Sequence, residues 1–134
     1  MDHPDWPVTK RLRVSDVDNS ARCLLEKSSV KEHILPHLRD NDMLKLWRGV
    51  EVVVWDVDTE SEHVLVLRRW KSSGSYVLHK NWLSDFVMRR GLEMNDVIGL
   101  RWDDENSRLE FKLLQKNLFS SGPVWAGLDS KCPK

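Results

Sequence analysis

Apolar and polar residues alternate in short runs along most of this chain, and a period of two predicts strands. Leu12 and Val14 interleave with Arg11 and Arg13, which predicts a half-exposed first strand. A polar turn at 15–20 leads into a short strand at 22–25. Ser28 or Ser29 can cap a short helix over 30–35, which Pro36 stops, and 37–46 reads as a loop rich in Asp and Asn. The run 49–57 is strongly β-prone, with Val52, Val53, Val54 and Trp55 expected to be buried on both faces. Acidic residues at 58–62 turn it into a strand at 63–70, and another strand follows at 75–79. The segment 80–90 changes period: Trp82, Leu83, Phe86 and Val87 make one helical stripe, closed by Gly91. Strands at 97–102 and 108–114 then form a hairpin around 103–107. Seven short strands and two short helices, with connections too short for most crossovers, predict a mainly β fold: an open, mainly antiparallel pseudobarrel.

With 134 residues, 40% of them hydrophobic and 31% charged, the chain suits one globular domain, and no apolar run approaches a membrane span. The acidic, Pro-broken opening does not read as a signal peptide, and residues 1–7 are taken as an extension. Cys23 and Cys132 make no disulfide framework, so a reduced protein is expected, with Cys23 a small buried hydrophobe. The domain is expected over 8–116. The tail 117–134 leaves two readings open, a linker or a flap that tucks Trp125 onto the barrel.

A formal net charge of zero argues against crude polyanion binding, but the charge is sorted. Residues 9–31 hold six cations and three acids, and 68–90 hold six cations and one acid. Residues 39–63 hold three cations and seven acids, and 93–110 hold two and six. Such blocks suit a molecule with one face for a polyanion. The basic run Arg68-Arg69-Trp70-Lys71 runs straight into Ser72-Ser73-Gly74-Ser75, at the tip of a predicted hairpin. The Ser and Gly explain the turn; the cations do not follow from it. Arg69 and Lys71 can hold phosphates or read bases, whereas Trp70 reads first as packing at the strand end.

Several pieces together resemble the plant B3 DNA-binding domain, in a divergent, reproductive-type branch. They are Ser15-Asp16-Val17, Arg22-Cys23-Leu24-Leu25-Glu26-Lys27, Val54-Trp55-Asp56-Val57-Asp58, Ser75-Tyr76-Val77-Leu78, Trp82 with Phe86-Val87, and Gly91-Leu92 before Asn95-Asp96-Val97-Ile98. The resemblance covers about residues 8–115. It implies a seven-stranded open pseudobarrel with two short helices, and two arms that grip the major groove of double-stranded DNA. One arm would comprise Lys10, Arg11, Asn19, Ser20, Arg22 and Lys27; the other Arg68, Arg69, Trp70, Lys71, Ser72, Ser73 and Ser75. It also implies a nuclear transcription regulator that needs no cofactor and works with protein co-regulators. Two departures stand out: Glu26 replaces the Pro of a frequent Leu-Pro-Lys, and Lys71-Ser72-Ser73-Gly74 replaces an Asn-rich tip. Both leave a second expectation in play, a B3-like scaffold for protein–protein interaction.

Other constellations read as structure. His33 and His37 have ligand spacing, but Pro36 breaks the helix between them, so no metal is expected. Asp56 and Asp58 read as solvated carboxylates beside a turn. Asp103, Asp104, Glu110 and Lys112 superficially match a nuclease pattern, yet alternating Glu-Phe-Lys suits any exposed strand. No Ser/His/Asp, P-loop or dinucleotide signature appears, and no enzyme is expected. Trp55, Trp82 and Trp102 are assigned to the barrel interior.

Overall fold

A computed structural model describes residues 5–70 and 73–117. Seven strands form one sheet: β1 (Val8–Arg11), β2 (Cys23–Leu25), β3 (Val50–Asp56), β4 (Ser61–Arg69), β5 (Tyr76–His79), β6 (Val97–Asp103) and β7 (Arg108–Gln115). Their spatial order is β1-β6-β7-β3-β4-β5-β2. Every pairing is antiparallel except β3 with β7, where Val54 to Asp56 run parallel to Leu109 to Phe111. The two end strands, β1 and β2, are not paired with each other, so the sheet curls into a barrel that stays open along one seam. This is the expected seven-stranded pseudobarrel, with one parallel pair added.

The helices depart from expectation in number and place. Among the described residues three short α-helices occur, α1 (Val14–Val17), α2 (Lys27–His33) and α3 (Asp40–Leu44), with a 3₁₀ turn at Leu35–His37. The first strand therefore ends before Val14, which opens α1 and is 56% exposed. The reason is local: the Asp16 carboxylate accepts the Arg13 N–H while the Arg13 carbonyl accepts the Asp16 N–H, which turns the chain out of the extended state. The expected loop 37–46 contains α3, with Asp40 and Asp42 in its first turn, where carboxylates favour the helix. The expected helix at 80–90 has a π-helical centre, Leu83–Met88, which aims Phe86 and Val87 inward.

Trp82 stacks on Phe86 at 5.5 Å between ring centroids, and Phe86 meets Phe111 edge-on at 4.7 Å. All three are essentially fully buried, each worth about 1.5–3 kcal/mol of transfer free energy. Trp55 and Trp102 correct the interior assignment. Strict alternation in β3 points Val50, Val52, Val54 and Asp56 inward, so Trp55 faces out, half-buried under the Arg108 guanidinium at 4.4 Å. Trp102 is also half-buried and stacks on His37. Before β1, Trp6 is buried against Gly99, whose missing side chain makes the room; a Cβ there would come within 2.9 Å of the Trp6 Cβ. Cys23 is a free, fully buried thiol, and burial, reinforced by Asp16, pushes its pKa far above the usual thiol range.

The alternation that puts Trp55 outside puts Asp56 inside, and this corrects its reading as a solvated carboxylate. Asp56 is fully buried and accepts hydrogen bonds from Arg90 at 2.7 and 2.8 Å and from Arg89 at 2.7 Å. Arg90 also reaches Asp58 at 3.1 Å, and Asp58 accepts from Lys112 at 2.8 Å. The network ties the β3–β4 turn to the π-helical segment and to β7. Burial raises the Asp56 pKa, but the hydrogen bonds from Arg89 and Arg90 outweigh it, and the carboxyl is held below its usual range; Asp58 is lowered likewise. A folded-state pKa below the unfolded value stabilises at pH above about 4 and is lost as pH falls through the folded value. Urea unfolding at pH 7 and pH 3 should therefore show acid destabilisation. Arg90→Met should lower stability at pH 7 by about 3 kcal/mol, as removal of one partner of a buried pair does, and flatten the acid loss. An Arg90→Met protein with unchanged pH dependence would remove Asp56 from this role.

Candidate nucleic-acid interface

The basic hairpin tip forms because β4 and β5 pair as far as Arg69 with Tyr76, after which the chain closes on itself. The Trp70 N–H donates to the Ser75 carbonyl at 2.8 Å, and the Gly74 N–H donates to the Trp70 carbonyl at 2.8 Å. Gly74 has φ of +73°, a conformation that favours glycine. Ser73 accepts the Ser75 N–H at 3.2 Å, so Ser73 and Ser75 build the turn. Lys71 and Ser72 lie outside the described residues. Arg68 and Arg69, being adjacent in a strand, point to opposite faces.

The other arm is built on one buried carboxylate. Asp16, 1% exposed, accepts the backbone N–H of Arg13 at 2.8 Å and of Leu24 at 3.0 Å. It also pairs with Lys10 and Arg22, both at 3.3 Å. Lys10 Nζ in turn donates to the Leu24 carbonyl at 2.6 Å, crossing the open seam from β1 to β2. The Asp16 carbonyl accepts the indole N–H of the buried Trp82 at 2.8 Å, which roots the arm in the core. Lys10 and Arg22 are thus partly spent on holding the arm together.

The two arms meet in two places. On the outer face of β2, β5 and β4 lies an open cleft of about 450 Å³, with Ser20 and Arg22 on one side and Arg68 and Trp70 on the other. The Arg22 guanidinium covers the Trp70 ring at 5.2 Å, a cation–π contact. His79 and Lys80 complete the cleft. Burial, then Arg68 and Lys80, lowers the His79 pKa, and its buried Nε2 has no hydrogen-bond partner among the described residues. On the opposite face, Lys27 and Arg69 converge on Gly74. A side chain at Gly74 would meet the Lys27 ammonium at 3.6 Å and the Arg69 guanidinium at 3.9 Å. No carboxylate among the described residues forms an ion pair with either cation.

The structure thus brings together Ser20, Arg22, Lys27, Arg68, Arg69 and Trp70, with Lys10 beneath them. Asn19 is exposed in the turn before β2. Arg11 points elsewhere and donates to the Asn95 carbonyl at 3.2 Å, beside a separate cleft that includes Arg13 and Val14. His79 and Lys80 were not anticipated as part of the site; the signal was the alternation of β5, where Val77 stands opposite Arg68 and His79 two residues on shares its face. Of the other constellations, Glu110 pairs with Arg101 at 2.7 Å and Lys112 with Asp58, so the nuclease-like pattern is dispersed among structural pairs. His37 bonds Asp104 at 3.0 Å and stacks on Trp102. One arrangement escaped the sequence: Ser61 Oγ lies 2.8 Å from His63 Nε2, and His63 Nδ1 lies 3.1 Å from Asp85. None of the clefts described here is lined by these three, and Ser61 Oγ is shared with Thr59 at 2.8 Å. They act as a hydrogen-bond chain between β4 and the π-helical segment.

Comparison with known proteins decides the family. The sequence model for the C-terminal domain of the B3 domain-containing protein At5g26805 matches residues 6–114. The chain belongs to the B3 domain family. A B3 domain-containing protein of Arabidopsis thaliana, At1g78640, is 45% identical over 112 residues, which is 81% of this chain and 22% of that protein. Another, At4g02870, is 39% identical over 128 residues, 94% of this chain and 39% of that protein. This B3 domain thus spans well under half the length of those two relatives. Its fold matches that of the protein in the solved Arabidopsis FUS3-DNA complex, with a TM-score of 0.65 and 25% identity over 84% of this chain and 99% of the other.

The latch at Asp16 gives the B3 fold here a direct test. Asp16→Ala should cost on the order of 3 kcal/mol, because it strands two cations and two backbone donors. Urea unfolding measures the loss, and amide exchange should quicken at Leu24 relative to Leu65 in the core. A loss below about 0.5 kcal/mol, the range of ordinary surface substitutions, would show that the seam is held by something else.

Proposed function

We propose that this B3 domain binds double-stranded DNA with sequence preference, its two arms engaging the major groove. The observation that carries the reading is the meeting of both arms around shared cations. Arg22 covers Trp70 across one cleft, and Lys27 and Arg69 converge at Gly74 with no carboxylate partner among the described residues. Two neighbouring like charges repel, and an arriving phosphate relieves the repulsion. The solved FUS3 structure is a DNA complex, which supports the same reading. In this proposal Lys27, Arg69 and Lys71 hold phosphates or read base edges. Arg22, Arg68 and the Ser hydroxyls line the approach, and Lys10 keeps the first arm in place.

The zero net charge does not oppose this reading, because, Asp16 apart, the acids named next are matched by cations outside the arms, and Lys27, Arg68 and Arg69 have no carboxylate partner among the described residues. Asp16, Asp56 and Asp96 are buried with their donors, and Asp58, Asp103 and Glu110 are paired. The acidic turn between β3 and β4 lies at the end of that ladder opposite Arg69, roughly 25 Å away at about 3.3 Å per residue. That placement weakens the alternative of a protein-interaction scaffold, which gains only from acids on the cationic face. The unit proposed to bind is 8–116, serving a nuclear transcription regulator as a non-enzymatic module, with co-regulators supplying any effect on transcription.

Selection of bound duplexes from a randomised pool, followed by a salt titration, tests the proposal. An enriched motif is expected, with log affinity falling by about 0.9 per phosphate contact per log unit of salt. Arg69→Ala and Lys27→Ala should each weaken binding to the selected duplex while leaving the circular dichroism spectrum unchanged. An Arg69→Ala loss of about 1–3 kcal/mol confined to one base position would mark a guanine contact. A uniform loss across sequences would mark a phosphate contact. No enrichment by the parent chain would shift the function to the interaction scaffold.

A further inference from the structure

The segment joining α3 to β3 carries an exposed aromatic beside cations that the arms do not account for. Trp47 is 57% exposed, unusually open for so large an apolar side chain, and Leu44 before it is 74% exposed. Lys45 and Arg48 flank Trp47, are exposed, and have no carboxylate ion pair among the described residues. The local charge is positive, although the wider block 39–63 is acidic. Two hydrogen bonds dock this segment on the stem of the basic hairpin. The Arg69 N–H donates to the Leu46 carbonyl at 2.9 Å, extending the sheet beyond β3, and Arg68 Nε donates to the Trp47 carbonyl at 3.2 Å. Arg68 is also a wall of the cleft shared by the arms. Trp47 is therefore tied through its carbonyl to a residue of that cleft.

We infer that Trp47 and Arg48 form a third contact to the same duplex, on the sugar–phosphate backbone flanking the segment the arms read. An indole offers a flat apolar face to deoxyribose and an N–H to a phosphate oxygen, and Arg48 supplies charge. The contact is to backbone, so it lengthens the bound site without adding sequence information. The charge favours this occupant over a protein: Lys45 and Arg48 stand beside Trp47 in the chain, Arg68 bonds its carbonyl, and the nearby Asp42 is already engaged by Arg39 at 3.9 Å.

This inference rests on the DNA-binding proposal, and the test separates the two. The duplex selected by the parent chain is made in two lengths, the core motif alone and the motif with flanks of several base pairs on each side. The parent chain should bind the longer duplex more tightly and with a steeper salt slope. Trp47→Ala and Arg48→Ala should erase that difference, leave core binding unchanged, and keep the parent melting temperature, since both side chains are exposed. Arg48→Ala should reduce the salt slope on the long duplex by about 0.9. Leu44→Ala, next to the contact but carrying no donor or charge, should change none of these. Equal behaviour of parent and both variants on the two lengths would overturn the third contact while leaving the arms intact. Failure of the parent chain to bind any selected duplex would overturn the DNA reading itself, and this contact with it.

Discussion

A barrel that does not close leaves two strand edges facing each other, and here a single buried carboxylate spans the gap. Asp16 accepts from β2 through Leu24, from the turn after β1 through Arg13, and pairs with Lys10 and Arg22 on the two sides. The curvature of β5–β2 against β6–β1 depends on this latch, because no ladder of backbone bonds joins β1 to β2. The cost of burying the charge is offset by four donors, two of them fixed main-chain groups. The consequence for the site is direct. The latch sets the position of the first arm relative to the hairpin of the second, so Arg22 arrives over Trp70 and Lys27 arrives at Gly74.

The same device recurs at two other weak points. Asp56 secures the β3–β4 turn through Arg89 and Arg90, and Asp96 secures the start of β6 by accepting from Glu93, Asn117 and Lys116. Asp56 and Asp96 each stand where a strand begins or ends and the ladder can no longer satisfy the backbone. The cations that match them, Arg89, Arg90 and Lys116, lie outside the arms. These acids are drawn into junctions and matched there, whereas Lys27, Arg68 and Arg69 of the arms have no carboxylate partner among the described residues.

The strands were legible because each has one face in the core, and burial enforces a period of two. The same rule, applied one residue more strictly, would have turned Trp55 outward and Asp56 inward. The apolar run Val52-Val53-Val54 masked that alternation, since an outward Val looks no different from an inward one. α1 was hidden because four residues carry no periodicity, and only the reciprocal bonding of Arg13 and Asp16 creates it. The arms were legible as charge blocks, but which cations remain available was not. Lys10 and Lys27 look alike in sequence; one is bound by Asp16 and Leu24, and the other reaches the hairpin tip. That difference depends on contacts across the seam, between residues distant along the chain.

Strand geometry imposes a last constraint on how the second arm can work. Arg68 and Arg69 share a strand, so one cannot follow the other onto the same face. Arg69 turns to the inner face, where Lys27 waits, and Arg68 to the outer face, where Arg22, Trp70 and His79 wait. The hairpin thus carries cations on both of its faces and near its tip, as a blade inserted into a groove would, with negative charge on either side. A flat basic patch would need only one face. The register of β4 against β5, fixed by Leu67 and Leu78 in the core, is what makes the arm two-sided. A slip of one residue would exchange the two faces and bury an arginine where Leu67 now sits.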